Sequence, residues 1–415
     1  MTSPAETSFR PLEGLTVLDF GQGVAGPYCS MLLGDFGARI LKIEPMRGDW
    51  SRSMGSRVSD CESTTYLSVN RNKESLCFDF TKPEAREVAL RLIGLADVVV
   101  ESFRPGVMDR LGFGYADLSA SHERLIYCSI TGFGSDGPYA QLPAGDSTMQ
   151  AVGGLMSIVG EPLGDPLRVG NVVSDMLAGM HGFEAVLLAH IERGATGRGR
   201  RVEVSLFDTL LAFQAPPLIE YLSTGRLPQR TGNSHPLVTP SGIVRTADRP
   251  VTFTVLGHQW DRFCGFLGKP GLETDERFAT NERRTAHRDE LMGIVQTHFE
   301  GQASCEVLDA LRAADILCAP VNSYDDLARD PQVLARQAFR SVPSPRLGDV
   351  PFVANPIRTA DAGKRPTPPP VLGEHTRMVL EQTLALSPEE IERLEALGAI
   401  PAQPERNVDR TGRSR

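Results

Sequence analysis

Apolar residues come in short runs along the first part of the chain, and each run is followed by a polar or glycine-rich step. Thr16–Phe20, Arg39–Glu44, Leu76–Phe80, Val98–Val100 and Leu125–Ile130 are β-type runs, too short for helices. Between them the apolar spacing turns helical: Pro83, near a first helical position, is followed by Val88, Leu90, Leu92 and Ile93. This alternation predicts a mainly parallel sheet with helices on its faces. Binding loops are then expected where the strands end, and these runs end in polar or Gly/Pro segments.

Further on, Gln150–Met156 is helical, and a long apolar helix entered through Ser174-Asp175 extends to His190. Val202–Leu206 reads as strand and Phe207–Tyr221 as helix, while Arg47–Asn70 reads as a polar loop region. Gly232–Thr246 is irregular and marks a boundary. Val251–Val255 opens a second unit with helices around Trp260–Leu267, His287–Phe299 and Cys305–Ala314. Pro331–Val350 reads as a connecting segment and Lys364–Pro370 as an extended proline-rich linker. Two more helical segments follow, Glu374–Leu386 and Pro388–Leu397, and then a basic tail, Asn407–Arg415, expected to be disordered.

Composition narrows the class. The 415 residues suffice for two domains. No apolar run approaches the ~20 residues of a membrane helix, so no membrane partner is expected. Residues 1–14 lack a basic region followed by an apolar core, so no secretory signal is expected. The seven cysteines are dispersed without a CxxC pair, which fits packing roles for most of them in a reducing cytoplasm. A net charge of −9 gives no support to nucleic-acid binding.

Candidate chemistry centres first on Gly21-Gln-Gly23-Val-Ala-Gly26, a GxGxxG between a strand and a helix, with Glu44 ending the next strand. On the motif alone this is a dinucleotide fingerprint, and a helix N-terminus facing a glycine turn is a general anion site. Pro27 weighs against a pyrophosphate there, because it removes a backbone N–H at the helix start. Asp175 reads as a helix N-cap, held anionic by the helix dipole, and an anionic carboxylate is what covalent carboxylate catalysis requires. Gly153-Gly154 is a candidate source of bare N–H groups near it. His181 and His190 read as core histidines, and Arg47, Lys73, Arg104 and Arg110 as surface charges near strand ends. No metal-ligand spacing is present.

The motifs resemble those of the class III CoA transferases, a family that includes formyl-CoA:oxalate and carnitine CoA transferases and the related α-methylacyl-CoA racemases. The resemblance is carried by Pro11–Phe20, Ala25-Gly-Pro27, Leu33–Glu44, Asn70-Arg-Asn-Lys73, Ala96–Gly106 and Gly132–Pro138. It continues through Ser174-Asp175, Gly197–Ser205, Asp330-Pro-Gln332 and Leu372–Thr376, in family order over nearly the whole chain. It implies an α/β fold with a Rossmann-like large domain built from both chain ends, a smaller α/β domain, and an interlocked homodimer. On that plan residues 1–208 open the large domain, 209–232 and 331–358 are linkers, 233–330 form the small domain, and 359–415 return to the large one.

The same resemblance implies an acyl-CoA:carboxylate CoA transferase. Its donor is an acyl-CoA, its acceptor a carboxylic acid, and no cofactor is bound permanently. The catalytic residue falls on Asp175, acting through an aspartyl anhydride and an aspartyl-CoA thioester. CoA contacts fall on Val24, Ala25, Phe78, Thr81, Ser102, Phe103, Arg104 and Arg110. The chain departs from some members twice: Pro45 stands where an arginine follows the second strand, with Arg47 nearby, and Thr81 where a lysine ends the third-strand segment, with Lys82 adjacent. Racemases of this family carry Gly-His-Asp where this chain has Ala144-Gly145-Asp146, so a second base is missing. The alternatives are a racemase, an NAD-dependent oxidoreductase and a non-catalytic CoA-binding protein.

Overall fold

The computed structural model describes residues 9–59, 62–358 and 366–402. The tail Asn407–Arg415, Cys61 and the start of the proline-rich linker lie outside the described residues. Six strands form the main sheet: β1 Thr16–Asp19, β2 Arg39–Pro45, β3 Lys73–Phe78, β4 Val98–Glu101, β5 Ile126–Thr131 and β6 Arg201–Ser205. All pairings are parallel and the spatial order is β3-β2-β1-β4-β5-β6. This is the order of dinucleotide-binding sheets, whose crevice opens where the order reverses beside β1.

Most of the sheet is buried on both faces, which is why most of its strands read as continuous apolar runs rather than alternating ones. On one face Leu18, Leu41, Leu76, Phe78, Val99 and Tyr127 pack against Val88 and Leu92 of α2 (Pro83–Ile93). Val379, Leu380 and Ile391, from helices Thr376–Leu384 and Pro388–Ala396, complete that layer. The opposite face is covered by α1 (Ala25–Asp35) and the long α4 (Val173–Thr196), which follows the shorter α3 (Asp146–Val152). Two glycines of α4 allow close packing. A Cβ on Gly179 would stand 2.7 Å from the Ala25 carbonyl oxygen, and one on Gly182 would stand 2.7 Å from Ile130 Cδ1 and 3.3 Å from Cys29 Sγ.

The chain divides into two compact units. One comprises residues 1–153, 170–215 and 337–415, and the other residues 154–169 and 216–336. The second unit holds an antiparallel sheet of β7 (Ser241–Val244), β8 (Val251–Thr254) and β9 (Leu317–Pro320), with β8 central. Its core gathers Phe253, Trp260, Phe263, Phe299 and Leu311. Within this unit the 160–169 segment is clasped by Arg230, whose Nη2 donates to the Gly164 carbonyl (2.8 Å), and by Gly232 N–H to the Gly160 carbonyl (3.0 Å).

Several segments differ from the sequence expectation. Arg47–Asn70 is not all loop: it holds a 3₁₀ turn, Trp50–Ser53, and helix Thr64–Val69, capped by the Ser63 hydroxyl. Phe207–Tyr221 is two helices, Leu206–Phe213 and Ala215–Thr224, because Pro216 and Pro217 fit only a first helical turn. Gln150–Met156 is likewise broken at Gly153-Gly154, where Gly154 has φ +83°. Pro331–Val350 contains a short helix, Pro331–Ala335, and most of the hairpin Phe339–Ser344/Gly348–Val353, whose Val342 and Val350 pack on Tyr66 and Leu67. Cys305 is exposed rather than packed. Among the described residues no helix is long and apolar enough to cross a membrane.

Candidate active site

The glycine turn after β1 is built as a closed structure. Gly21 N–H donates to Asp19 Oδ1 (2.9 Å), Gln22 N–H to Ser102 Oγ (3.0 Å) and Gly23 N–H to Asp49 Oδ1 (2.9 Å). Three successive amides that a pyrophosphate would need are thus satisfied by protein oxygens. The glycines serve close packing instead. A Cβ on Gly21 would stand 2.9 Å from Gly26 Cα, and one on Gly23 would overlap the Trp50 ring. The first three amides of the expected anion site are therefore taken by the protein itself.

Beneath the turn lies a buried lattice of charge. Lys42 Nζ donates to the Gly21 carbonyl and to Asp49 Oδ2 (both 2.9 Å), and both side chains are fully buried. Lys73 Nζ donates to Asp19 Oδ2 (2.8 Å), the Pro27 carbonyl (2.7 Å) and Asn70 Oδ1 (2.9 Å). These ammonium groups hold Asp19 below the usual carboxylate range despite its burial. Glu44 is not a ribose ligand. It accepts from Arg52 Nε (2.8 Å) and Nη2 (2.7 Å) and from Ser75 Oγ (2.6 Å). Arg52 in turn stacks on the Tyr66 ring at 3.8 Å, pairs with Glu62 and donates to the Pro370 carbonyl, joining the two ends of the chain.

Asp175 occupies the third position of α4, not the N-cap; the cap residue, Val172, makes no side-chain bond there. Capping comes from another helix. Asp146, the first residue of α3, accepts at Oδ1 from Ser174 N–H (2.9 Å) and Ser174 Oγ (2.8 Å), while Gln150 Nε2 holds its Oδ2 (2.7 Å). Among the described residues no group hydrogen-bonds the Asp175 carboxylate. Burial, and next the charge of Asp146, push its pKa up to about 7. The expectation that the helix dipole holds it anionic therefore gives way to desolvation, the larger effect. Gly153 offers no bare N–H either, since it donates to the Met149 carbonyl (2.8 Å).

Helix register places this carboxylate. Gly179 lies on Ala25 and Tyr28, and Gly182 on Cys29, so α4 and α1 run in the same direction. One turn back from Gly179 is Asp175, so the carboxylate stands on α4 level with the N-terminal end of α1. In the turn that leads into α1, Gln22 lines a cavity of about 520 Å³ at the ends of β1–β4, with Phe20, Phe78, Phe103 and Thr81 in its wall.

The CoA-transferase family III model matches residues 12–376 of this chain. The chain belongs to CoA-transferase family III. It is 35% identical to the succinate–glutarate CoA-transferase of Agrobacterium fabrum over 90% of this chain and 95% of that one. It is 36% identical to the acetyl-CoA:oxalate CoA-transferase of Acetobacter aceti, over 89% and 94%. A CAIB/BAIF family protein from Brucella suis superposes with a TM-score of 0.81 at 34% identity, covering 90% of this chain and 99% of that one.

This CoA transferase brings part of the expected set together. Phe78, Thr81 and Phe103 share the cavity wall. Val24 and Ala25 are buried in the turn and the start of α1, and Ser102 is occupied with the Gln22 backbone. Arg104 and Arg110 are exposed and do not line the cavity. Gln22, Arg47 and Arg86 do line it, and sequence reasoning passed over Gln22 and Arg86. Trp50, 51% exposed against Gly23, was also missed. Its signal was an aromatic next to Asp49 in an otherwise polar stretch. Among the described residues no group of His, Cys, Asp or Glu could hold a metal ion.

Proposed function

We propose that this enzyme moves CoA between carboxylic acids with Asp175 as nucleophile, the CoA lying in the cavity at the ends of β1–β4. The observation that carries this reading is a buried carboxylate level with the N-terminal end of α1, the helix whose preceding glycine turn lines the cavity through Gln22. Asp175 attacks the donor thioester carbonyl; the C–S bond breaks and CoA thiolate leaves a mixed acyl–aspartyl anhydride. The thiolate attacks the aspartyl carbonyl, expelling the donor acid and forming an aspartyl-CoA thioester. The acceptor carboxylate then displaces CoA thiolate to form a second anhydride. Thiolate attack on its acceptor carbonyl releases the new acyl-CoA and restores Asp175. No proton is consumed overall, and the cycle requires that water stay away from the anhydrides.

Val24, Ala25, Phe78, Thr81, Ser102, Phe103, Arg104 and Arg110 are proposed to meet or shape the CoA, with Ser102 acting through the turn it holds. The two similar enzymes named above act on succinate and glutarate and on acetyl-CoA and oxalate, so short dicarboxylates are the acceptors to test first. Gly145 puts no side chain where a racemase histidine would stand, which favours transfer over racemisation. A homodimer is supported by the apolar side chains that helices Leu206–Phe213 and Ala215–Thr224 leave exposed, among them Phe213, Ile219 and Leu222. Light scattering at the mass of one 45.1 kDa chain would overturn it.

The direct test is to incubate the enzyme with succinyl-CoA and a panel of acids, then digest it for mass spectrometry. The expected result is a CoA or acyl adduct on the peptide carrying Asp175; turnover with label on no carboxylate of that peptide sinks the mechanism. The pH profile gives a second check. Asp175 must be ionised to attack, so log(kcat/KM) is expected to rise with unit slope up to pH about 7 and then level off. In Asp146→Asn the neighbouring charge is gone, and the midpoint is expected to move to lower pH.

A further inference from the structure

Two arginines on the cavity wall keep their terminal nitrogens free of partners among the described residues. Many guanidinium groups of the large unit are tied to carboxylates: Arg39 to Glu74, Arg52 to Glu44 and Glu62, Arg71 to Asp35, Arg193 to Asp97. Arg91 and Arg124 hold backbone carbonyls instead, and Arg104 and Arg110, also without a carboxylate partner among the described residues, lie off the cavity. Arg47, exposed on the cavity wall, makes no hydrogen bond or ion pair with any described residue. Arg86, also exposed there, uses only its Nε, on the Phe80 carbonyl (2.8 Å); that bond holds the side chain back toward the wall and leaves both terminal nitrogens open. Asp79 is the one carboxylate in the lining, and its Oδ1 already accepts from Thr81 N–H (3.0 Å) and Thr81 Oγ1 (2.7 Å). Against the one Asp79 carboxylate, the two guanidinium groups leave this cavity wall with a net positive charge in a chain of net charge −9.

The rest of the wall is apolar and aromatic. Phe78 and Phe80 stack with ring centroids 5.7 Å apart and an 18° interplanar angle, and Phe20 and Phe103 stand beside them. A flat apolar surface with open guanidinium forks suits a ligand that joins a planar ring to phosphates, since each fork matches two phosphate oxygens at once. The positions matter as well. The chain lacks an arginine at Pro45 and a lysine at Thr81, where some family members carry them. Arg47 stands two residues beyond the first of these positions; beside the second, Lys82 does not line the cavity, whereas Arg86, within α2, does.

We propose that Arg47 and Arg86 are the phosphate-binding residues of this cavity, taking over both cationic positions that the chain has lost and recognising the nucleotide phosphates of CoA. This rests on the CoA-transferase reading. Exposed, unpaired arginines contribute little to folding, so their substitution reads on ligand binding.

Calorimetric titration tests the assignment with three probes: CoA, 3′-dephospho-CoA, and pantetheine, which has no phosphate. Wild type is compared with Arg47→Ala, Arg86→Ala and the two lysine variants. Each alanine variant is expected to bind CoA about tenfold more weakly, the loss of one charge-assisted contact. The lysine variants recover part of that loss. Pantetheine is expected to bind all five proteins equally, and an alanine effect that disappears with 3′-dephospho-CoA identifies the arginine that holds the 3′-phosphate. Unchanged CoA affinity in both alanine variants overturns the proposal, as does an equal loss for CoA and pantetheine. Failure of the wild type itself to bind CoA overturns instead the functional reading beneath it.

Discussion

Asp175→Asn is expected to lower transferase turnover by roughly 10³-fold or more while leaving a folded protein that is more stable than wild type at pH 8. The activity loss follows because asparagine cannot form the anhydride. The stability gain follows from burial. Folding moves the Asp175 pKa from an ordinary 3.8 up to about 7. Between those values the folded chain keeps a proton that the unfolded chain has released, so stability falls as pH rises through that window. At pH 8 the wild type bears the whole cost of an ionised carboxylate out of water beside Asp146, and asparagine bears none. Thermal melts at pH 4 and pH 8 check this: the gap between variant and wild type is expected only at the higher pH. A variant that is inactive and also less stable at pH 8 would make Asp175 a structural residue.

Lys42→Met is expected to destabilise the large unit by about 3–5 kcal/mol, the usual cost of removing one partner from a buried ion pair. Methionine matches the length of the stem, so little packing is lost. What remains is Asp49 buried without its ammonium partner and a Gly21 carbonyl without its donor. The chain has two tryptophans, Trp50 in the large unit and Trp260 in the small one. In a Trp260→Phe background, Trp50 fluorescence during urea unfolding reports on the large unit alone. A midpoint unchanged by Lys42→Met would mean that the lattice beneath the turn contributes nothing to holding it.

The parallel sheet was legible because burial on both faces writes itself into sequence as unbroken apolar runs such as Val98–Val100. The long helix was legible from its apolar length, and the family from ordered motifs. The site was less so. Gly21–Gly26 matches a dinucleotide fingerprint, yet its first three amides are closed by Asp19, Ser102 and Asp49, up to 80 positions away. Glu44 looked like a ribose ligand because its strand position was right; that its partner is Arg52 depends on a 3₁₀ turn inside what read as loop. Asp175 read as the cap, and only the tertiary position of Asp146 reveals a cap supplied by another helix of the same chain. The hairpin Phe339–Ser344/Gly348–Val353 was missed because its first strand is largely exposed and carries little apolar signal.

The sheet face covered by helices Thr376–Leu384 and Pro388–Ala396 bears on how the protein is made. β6 ends at Ser205, and the second unit is translated before those helices exist. At ribosomal rates of about 5–20 residues per second, Leu76, Phe78 and their neighbours wait on the order of 10 s for their final cover. The small unit, continuous from Pro216 to Arg336 apart from its 154–169 segment, has the chance to fold in that interval. The large unit is thus the last to be completed, and the time its sheet face stays open during synthesis grows with the length of the unit inserted between its parts.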